Sequence, residues 1–514
     1  MMEKRAKESR KENMILIGAL ALWWIFYLYL AAQIPYTHDD WDWGIENGWY
    51  QLIHANLNSR YSGNFLEVLL TRSEIFKAFF MGTTFWAIAV GIALFAKKKS
   101  QRPVAVLGLF FCANLALLLL RTVIWQQTYG WVAGFANFVA SSLWLVGYFL
   151  MCRDLFDPKK ESKKHSKLII LCEMLWCFTL QLFLENVAVF MVGVGIVFFV
   201  GAWIKDKKPS GRYFLHLLSL ILGAFIMFSS SMYDTLLSTG QAVDGYRELT
   251  FDFSQGMGAI AVSFAKRFVI NFLPEIYGHN WGMCLGIGAI MLIYCLSKIS
   301  GYKRFLAAIL HIMITAALVV MYSTSFWTNY FNAEQIIWLP LWLNVLFCLL
   351  ILGEIILFFA KDLSFCFKAL GVWLAAPLVI VPLVAVNTAG YRSFLTPYVF
   401  LVMFLVLMIN NLNFNRQIWQ RIIFAILLAA NIALTIYWGS IYYDIGQIKD
   451  MRDEIIAEAV ANNSAEITLP RYPHEQLLWE PDPKSEYRKK YFRLFYELRE
   501  DTVFYFVDRE EMKP

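Results

Sequence analysis

Runs of about 20 apolar residues, parted by short polar stretches, recur along most of this chain, and each can cross a hydrocarbon core about 30 Å thick. The first covers residues 14–34 and stops at Pro35. Others cover 75–96, 103–125, 131–151, 213–229, 281–298, 305–322, 336–360, 370–386, 394–411 and 422–440. The run 168–204 is too long for one crossing, and Glu185 and Asn186 near its middle predict a tight hairpin. The pattern predicts an all-α polytopic membrane protein with about 13 transmembrane helices. Two polar stretches, 36–74 and 230–280, are too long for simple turns. In the second, "GMGAIAVSFAKRFVINFLPEI" is apolar but carries Lys266 and Arg267, which predicts an interfacial or re-entrant helix.

The pattern changes at residue 441. "YYDIGQIKDMRDEIIAEAVANN" sets apolar residues at helical spacing among charges, and "EITLP" and "TVFYFVD" read as short strands. Tyr, Phe, Trp and Leu are too frequent there for a disordered tail. The expected division is a transmembrane domain over 1–440 and a small α+β domain over 441–514. There is no internal repeat at fixed period.

Composition agrees. Only 16% of the 514 residues are charged and 59% are hydrophobic, against about 25% charged in soluble domains. The formal charge of +6 is not a nucleic-acid signal, because Lys and Arg concentrate in "MMEKRAKESRK", "KKKSQR", "KKESKKHSK", "KDKKPSGR" and "YKR" between apolar runs. That bias predicts a cytoplasmic N-terminus, with 36–74, 230–280 and the tail on the other face of the plasma membrane. The first apolar run is full length with no small-residue cleavage site after it, so it reads as a retained anchor. The eight cysteines show no zinc spacing and lie in apolar runs or beside the basic segments, which argues against a disulfide framework or a structural metal.

The chemistry concentrates after the first run. "YTHDDWDWG" places His38, Asp39, Asp40 and Asp42 beside the membrane, and "RYSGNFLEVLLTR" supplies Arg60, Glu67 and Arg72. Carboxylates near a low-dielectric surface are costly without a partner or a task. An Asp can take a hydroxyl proton as general base, a neighbouring acid can raise its pKa, and arginine can hold phosphate oxygens. The same residues also suit structural work: Asp39 or Asp40 as a helix cap, Asp40 and Arg60 as an ion pair, Trp41 and Trp43 as membrane-belt anchors. Glu185 and Asn186 at the hairpin tip, and Arg392 in "NTAGYRS", are polar groups at the same membrane edge, suited to a pocket or merely to headgroups. Tyr233, Asp234, Arg247 and Arg121 either touch a ligand or cap and anchor helices. Glu173 and Glu354 are expected to pair with loop lysines, and His216 and His311 to bond within the bundle. "NNS" at Asn462 matches a glycosylation sequon, which means little in a bacterial source.

The long first helix, the acidic first loop, the dozen or so spans, the hairpin and the separate tail resemble the GT-C superfamily of membrane glycosyltransferases. The "DD-aromatic-D" stretch followed by "RYSGN" is similar to bacterial multipass proteins related to lipopolysaccharide- and teichoic-acid-modifying glycosyltransferases. The resemblance implies a GT-C-like fold and a role for Asp39 or Asp40 as catalytic base, or as a metal or acceptor ligand. Its implied partners are a polyprenyl-phosphate (undecaprenyl-phosphate) sugar donor, a cell-surface glycan acceptor such as a wall polysaccharide or teichoic acid, and membrane lipids. On this expectation Arg60, Arg72 and Arg392 grip the donor phosphate, His38 and Asp42 orient the acid, and Glu185 lines the pocket. Adjacent carboxylates suit Mg²⁺ or Mn²⁺, but many such proteins need none, so no metal is expected. The rival expectations are a transporter or flippase of lipid-linked glycans and a non-catalytic scaffold of wall assembly.

Overall fold

The computed structural model describes residues 2–54, 58–99, 101–156, 165–241, 248–251, 253–324, 338–387, 389–412 and 417–511. Arg247 and much of the basic segment around residue 160 lie outside the described residues. Inside a bilayer a backbone must satisfy its own polar groups, so apolar runs become helices. Among the described residues ten helices are long and apolar enough to cross a membrane. The number is eleven if Gly211–Met227 and Ser231–Thr239, bent by 71° at their junction, form one span.

The three other expected crossings are shorter helices. The apolar run 103–125 breaks after the 16-residue helix Pro103–Leu118 and resumes as the short helix Thr122–Gln126. Hydropathy runs on through Leu119 and Leu120, while the helix does not. Lys167–Gln181 and Gly211–Met227 are also short, at 15 and 17 residues. The hairpin read at Glu185 is present: Lys167–Gln181 ends, three residues turn, and Glu185–Asp206 begins. In the stretch with Lys266 and Arg267, helix Met257–Arg267 buries no residue and runs on through a π turn at Phe268–Phe272.

Helix Leu395–Asn411 is the centre of the bundle; nearly all its side chains are buried. It packs on Glu74–Ala96, Pro103–Leu118, Trp281–Lys298 and Leu363–Leu378. The peripheral helices expose Ile17, Val197, Phe225 and Leu357, apolar groups that belong against lipid. The first helix, Met2–Ala32, lies along Glu74–Ala96, with Trp24 Nε1 donating to Thr83 at 3.0 Å. Gly82 permits the approach, since a Cβ there would stand 2.7 Å from the backbone of Leu28.

The tail has no separate start. Helix Gln417–Ala461 is continuous for 45 residues, so the expected boundary at 440/441 falls inside one helix. Beyond it, β1 (Glu466–Pro470) and β2 (Val503–Val507) pair in parallel, Glu466 opposite Val503, as the apolar alternation predicted. The tail's small core comprises Ile456, Ile467, Leu469, Phe492 and Leu498 together with Trp41 from the first loop. Trp41 is fully buried and meets Phe492 edge-on at 5.1 Å, so it is a core residue and not a membrane-belt anchor. The tail is thereby fixed over the residue 36–72 segment. Gln126 Nε2 also donates to Leu478 O at 2.9 Å, tying it to the segment before Trp131.

Candidate functional site

Four pieces of chain meet where the first helix ends: the loop at residues 36–44, helix Tyr61–Leu70, the start of helix Val132–Gly134, and the tail. The loop turns at His38, whose φ of 53° is left-handed, an uncommon conformation for a residue other than glycine. The turn places successive aspartates in different surroundings.

Asp40 is fully buried. Its Oδ1 accepts the Ala133 N–H at 2.8 Å, and its Oδ2 accepts those of Thr37 at 2.8 Å and Val132 at 3.4 Å. It therefore caps a helix, as one sequence reading allowed, but a helix 92 residues away and not its own. Burial, reinforced by the Asp39 charge, pushes its pKa up, and the three N–H groups pull against that rise. Asp39 is partly exposed; its Oδ1 accepts Trp131 Nε1–H at 2.8 Å and faces His38 Nδ1 at 3.2 Å. Burial raises its pKa, but His38, Arg488 and the Trp131 bond outweigh it and hold Asp39 below the usual range.

Glu67 completes an acidic triad. Asp39, Asp40 and Glu67 each offer an oxygen within 4.8 Å of the others. Burial and then the charges of Asp39, Asp40 and Asp42 push the Glu67 carboxyl well up, against a weaker opposing pull from Arg60. Its Oε2 lies 3.5 Å from Asn137 Nδ2, and its buried Oε1 has no hydrogen-bond partner among the described residues. Asn137 sits in the π turn Phe135–Val139, which re-aims side chains just inside the capped helix end. Triad spacing and hard oxygen donors fit a divalent cation. Asp40 already accepts three N–H bonds, so Asp39 and Glu67 are the carboxylates with oxygens to spare.

The tail contributes residues that sequence reasoning missed. Tyr487 OH donates to Asp42 Oδ2 at 3.1 Å, and Arg488 Nη1 lies 3.8 Å from Asp42 Oδ1. Burial and the charge of Asp39, only partly offset by Arg488, push Asp42 up to about 7. Arg488 Nη2 stands 3.2 Å from His38 Nε2, which also faces Glu480 at 3.4 Å. Trp131 and Trp479 flank the His38 ring at 5.6 and 5.9 Å. Some 450 residues separate Arg488 from His38, and no local pattern marks the pair.

Two cationic groups gather around Trp131 and Phe138. Arg392 packs its guanidinium 5.7 Å from the Trp131 ring and 5.8 Å from that of Phe138. Arg60 reaches Phe138 at 5.9 Å and donates from Nε and Nη2 to Glu185, the shortest bond at 2.9 Å. Tyr233 OH donates to Glu185 Oε1 at 2.8 Å, so Tyr233 belongs to this group. Asn186 Nδ2 donates to Val379 O at 2.9 Å.

The other expected residues fall elsewhere. Arg72 donates to the carbonyls of Trp43 at 2.8 Å, Val68 at 2.6 Å and Ile45, and stacks on Trp49; it closes two helix ends and is not brought to Arg60 and Arg392. Asp40 pairs with backbone, not with Arg60. Asp234 is exposed, and Arg121 pairs with Glu275 at 2.7 Å. Among the described residues Glu173 bonds Arg212 and His216, and Glu354 bonds His311 at 2.7 Å, where loop lysines were expected. Compared with family models, curated proteins and solved structures, the chain matches none.

Proposed function

We propose that this protein is a GT-C-like membrane glycosyltransferase that moves a monosaccharide from a polyprenyl-phosphate carrier to a cell-surface glycopolymer, with inversion. The observation that carries the reading is Trp131, which donates to Asp39 while its ring receives the Arg392 guanidinium, so that an ionised carboxylate and a phosphate-binding group share one support.

In this reaction an acceptor hydroxyl gives its proton to Asp39, and its oxygen forms a bond to the anomeric carbon. The bond from that carbon to the phosphate oxygen breaks, and its electron pair leaves with the polyprenyl phosphate. Arg392 and Arg60 stabilise the departing charge. Between the two aspartates, Asp39 is the base: it is partly exposed, held ionised and engaged by side chains, whereas Asp40 is enclosed by backbone donors. Asp40 is a positioning residue that fixes the helix carrying Trp131, Asn137 and Phe138. A divalent ion, where bound, would be held by Asp39 and Glu67 and would add positive charge beside the phosphate. The same reading puts the site and the tail on the non-cytoplasmic face of the plasma membrane.

The test is the surface-glycan composition of a deletion strain. Wild type restores the missing sugar, and Asp39→Asn at equal protein level does not; restoration by Asp39→Asn overturns the assignment. The transporter reading has one observation of its own, the buried His311–Glu354 pair between helices Tyr302–Ser323 and Trp338–Phe359. It requires the opposite pattern, with Glu354→Gln inactive and Asp39→Asn active.

A further inference from the structure

Helix Glu74–Ala96 begins beside Tyr36 and ends at the far side of the bundle, where a cavity of about 460 Å³ opens. That volume is within the range of small-molecule sites, about 300–1,000 Å³. The polar part of its wall comprises Lys97, Lys98, Asp362, Ser364, Lys368, Asn410 and Asn411. Lys97 and Lys98 follow the helix end. Lys368 is different: it lies in the second turn of the apolar helix Leu363–Leu378, half-buried, with Nζ donating to Phe95 O at 2.8 Å and standing 4.1 Å from the Phe95 ring.

Among the described residues no carboxylate forms an ion pair with any of the three lysines. Asp362, the single acid in the wall, is spent as a cap, its Oδ1 accepting the Phe365 N–H at 3.1 Å. Asn410 is spent likewise, its Nδ2 donating to Ala96 O at 2.6 Å. The lysines therefore leave a net positive wall with unused N–H donors. Holding an ammonium away from bulk water is costly without a counter-charge. Apart from Ser364, whose hydroxyl donates to Phe156 O, the remaining wall is apolar, with Ala96, Phe156, Phe365 and Leu407.

We propose that this cavity binds a phosphate group through Lys97, Lys98 and Lys368, and that the phosphate is the headgroup of an anionic membrane lipid. Lysines act on phosphate as point charges, and basic pockets between membrane helices suit anionic headgroups. The apolar wall favours a lipid over a free anion, because acyl chains can leave along it. The site is separate from the acidic triad and does not depend on the glycosyl-transfer reading.

The test uses the full-length protein in detergent, offered phosphatidylglycerol and phosphatidylcholine together and weighed by native mass spectrometry. Wild type is expected to retain phosphatidylglycerol about tenfold over phosphatidylcholine. Lys97→Ala with Lys368→Ala brings the two to parity, Lys368→Arg keeps the preference, and Lys303→Ala, an exposed lysine outside the cavity wall, leaves it unchanged. Unfolding midpoints check that each variant is folded; should Lys368→Ala fail to fold, Lys368→Gln takes its place. Inorganic phosphate and glycerol 3-phosphate form a second arm. Lysine-dependent binding of these with no lipid preference overturns the lipid assignment and leaves a soluble-phosphate site. Equal lipid retention without phosphate binding, or a preference indifferent to the lysine changes, overturns the proposal.

Discussion

Asp39 and Asp40 are adjacent in sequence and do opposite work. Asp40→Asn removes one acceptor oxygen and turns an amide N–H toward backbone donors, at a cost of about 1–3 kcal/mol. The expected outcome is a lower unfolding midpoint, measured in detergent. Asp39→Asn also lowers the midpoint, since His38, Arg488 and the Trp131 bond favour the ionised carboxylate, but the folded variant in addition loses transfer by about 10²–10⁴, the usual worth of a general base. Asp42 adds a pH signature. Its folded pKa, about 7, stands above the ordinary carboxylate value, so between about pH 4 and pH 7 the folded protein holds a proton the unfolded chain has lost. Stability from this group is therefore full below pH 4 and lost as pH rises through 7. Asp42→Asn, which cannot ionise, flattens that decline, and the gap between its midpoint and the wild-type midpoint widens from pH 5 to pH 8. A constant gap contradicts the placement of Asp42.

At the scale of elements, the site is the meeting of a helix N-terminus, a hairpin tip and the tail. The Arg60–Glu185 pair joins helix Tyr61–Leu70 to the hairpin with both side chains largely buried, at 15% and 13% exposure. Glu185→Ala leaves Arg60 without that carboxylate and is expected to cost about 3–5 kcal/mol, more than removing an exposed pair. Gly63→Ala places a Cβ 2.1 Å from Asn137 Oδ1 and should push the Asn137 amide out of its place beside Glu67, lowering activity with the carboxylates intact. Arg488→Ala is expected to weaken activity while the tail still folds, because Trp41, Phe492 and the strand pair hold it. These elements were unequally legible. The strands "EITLP" and "TVFYFVD" and the hairpin at Glu185 follow from local alternation and one buried charge, which sequence displays directly. Trp41 was not legible, since an aromatic leaving a membrane looks the same whether lipid or a distant Phe492 receives it. Arg72 looked like a phosphate ligand because its partners are carbonyls at helix ends, which carry no sequence signature. Arg488 and Trp131 act across separations that only the tertiary fold closes.

At the scale of the whole molecule, hydropathy displayed the polytopic helical character but not the helix lengths: ten described helices are long and apolar enough to cross, and three of the expected runs form shorter helices. The bundle has two chemically distinct ends: carboxylates, tryptophans and the tail at one, and at the other a cavity with lysines that have no ion pair among the described residues. On the proposed orientation the lysine end faces the cytoplasm. A cysteine placed at Lys484 in the tail should therefore react with an impermeant maleimide on intact cells, and one placed at Lys99 should not. The most direct measurement of the central claim gives purified protein the lipid-linked monosaccharides and glycan acceptor extracted from its host membrane and follows polyprenyl phosphate by mass spectrometry. The account predicts that wild type converts one polyprenyl-phosphate sugar to free polyprenyl phosphate only when acceptor is present, and that Asp39→Asn does not. Equal turnover by Asp39→Asn, or none by folded wild type, contradicts it.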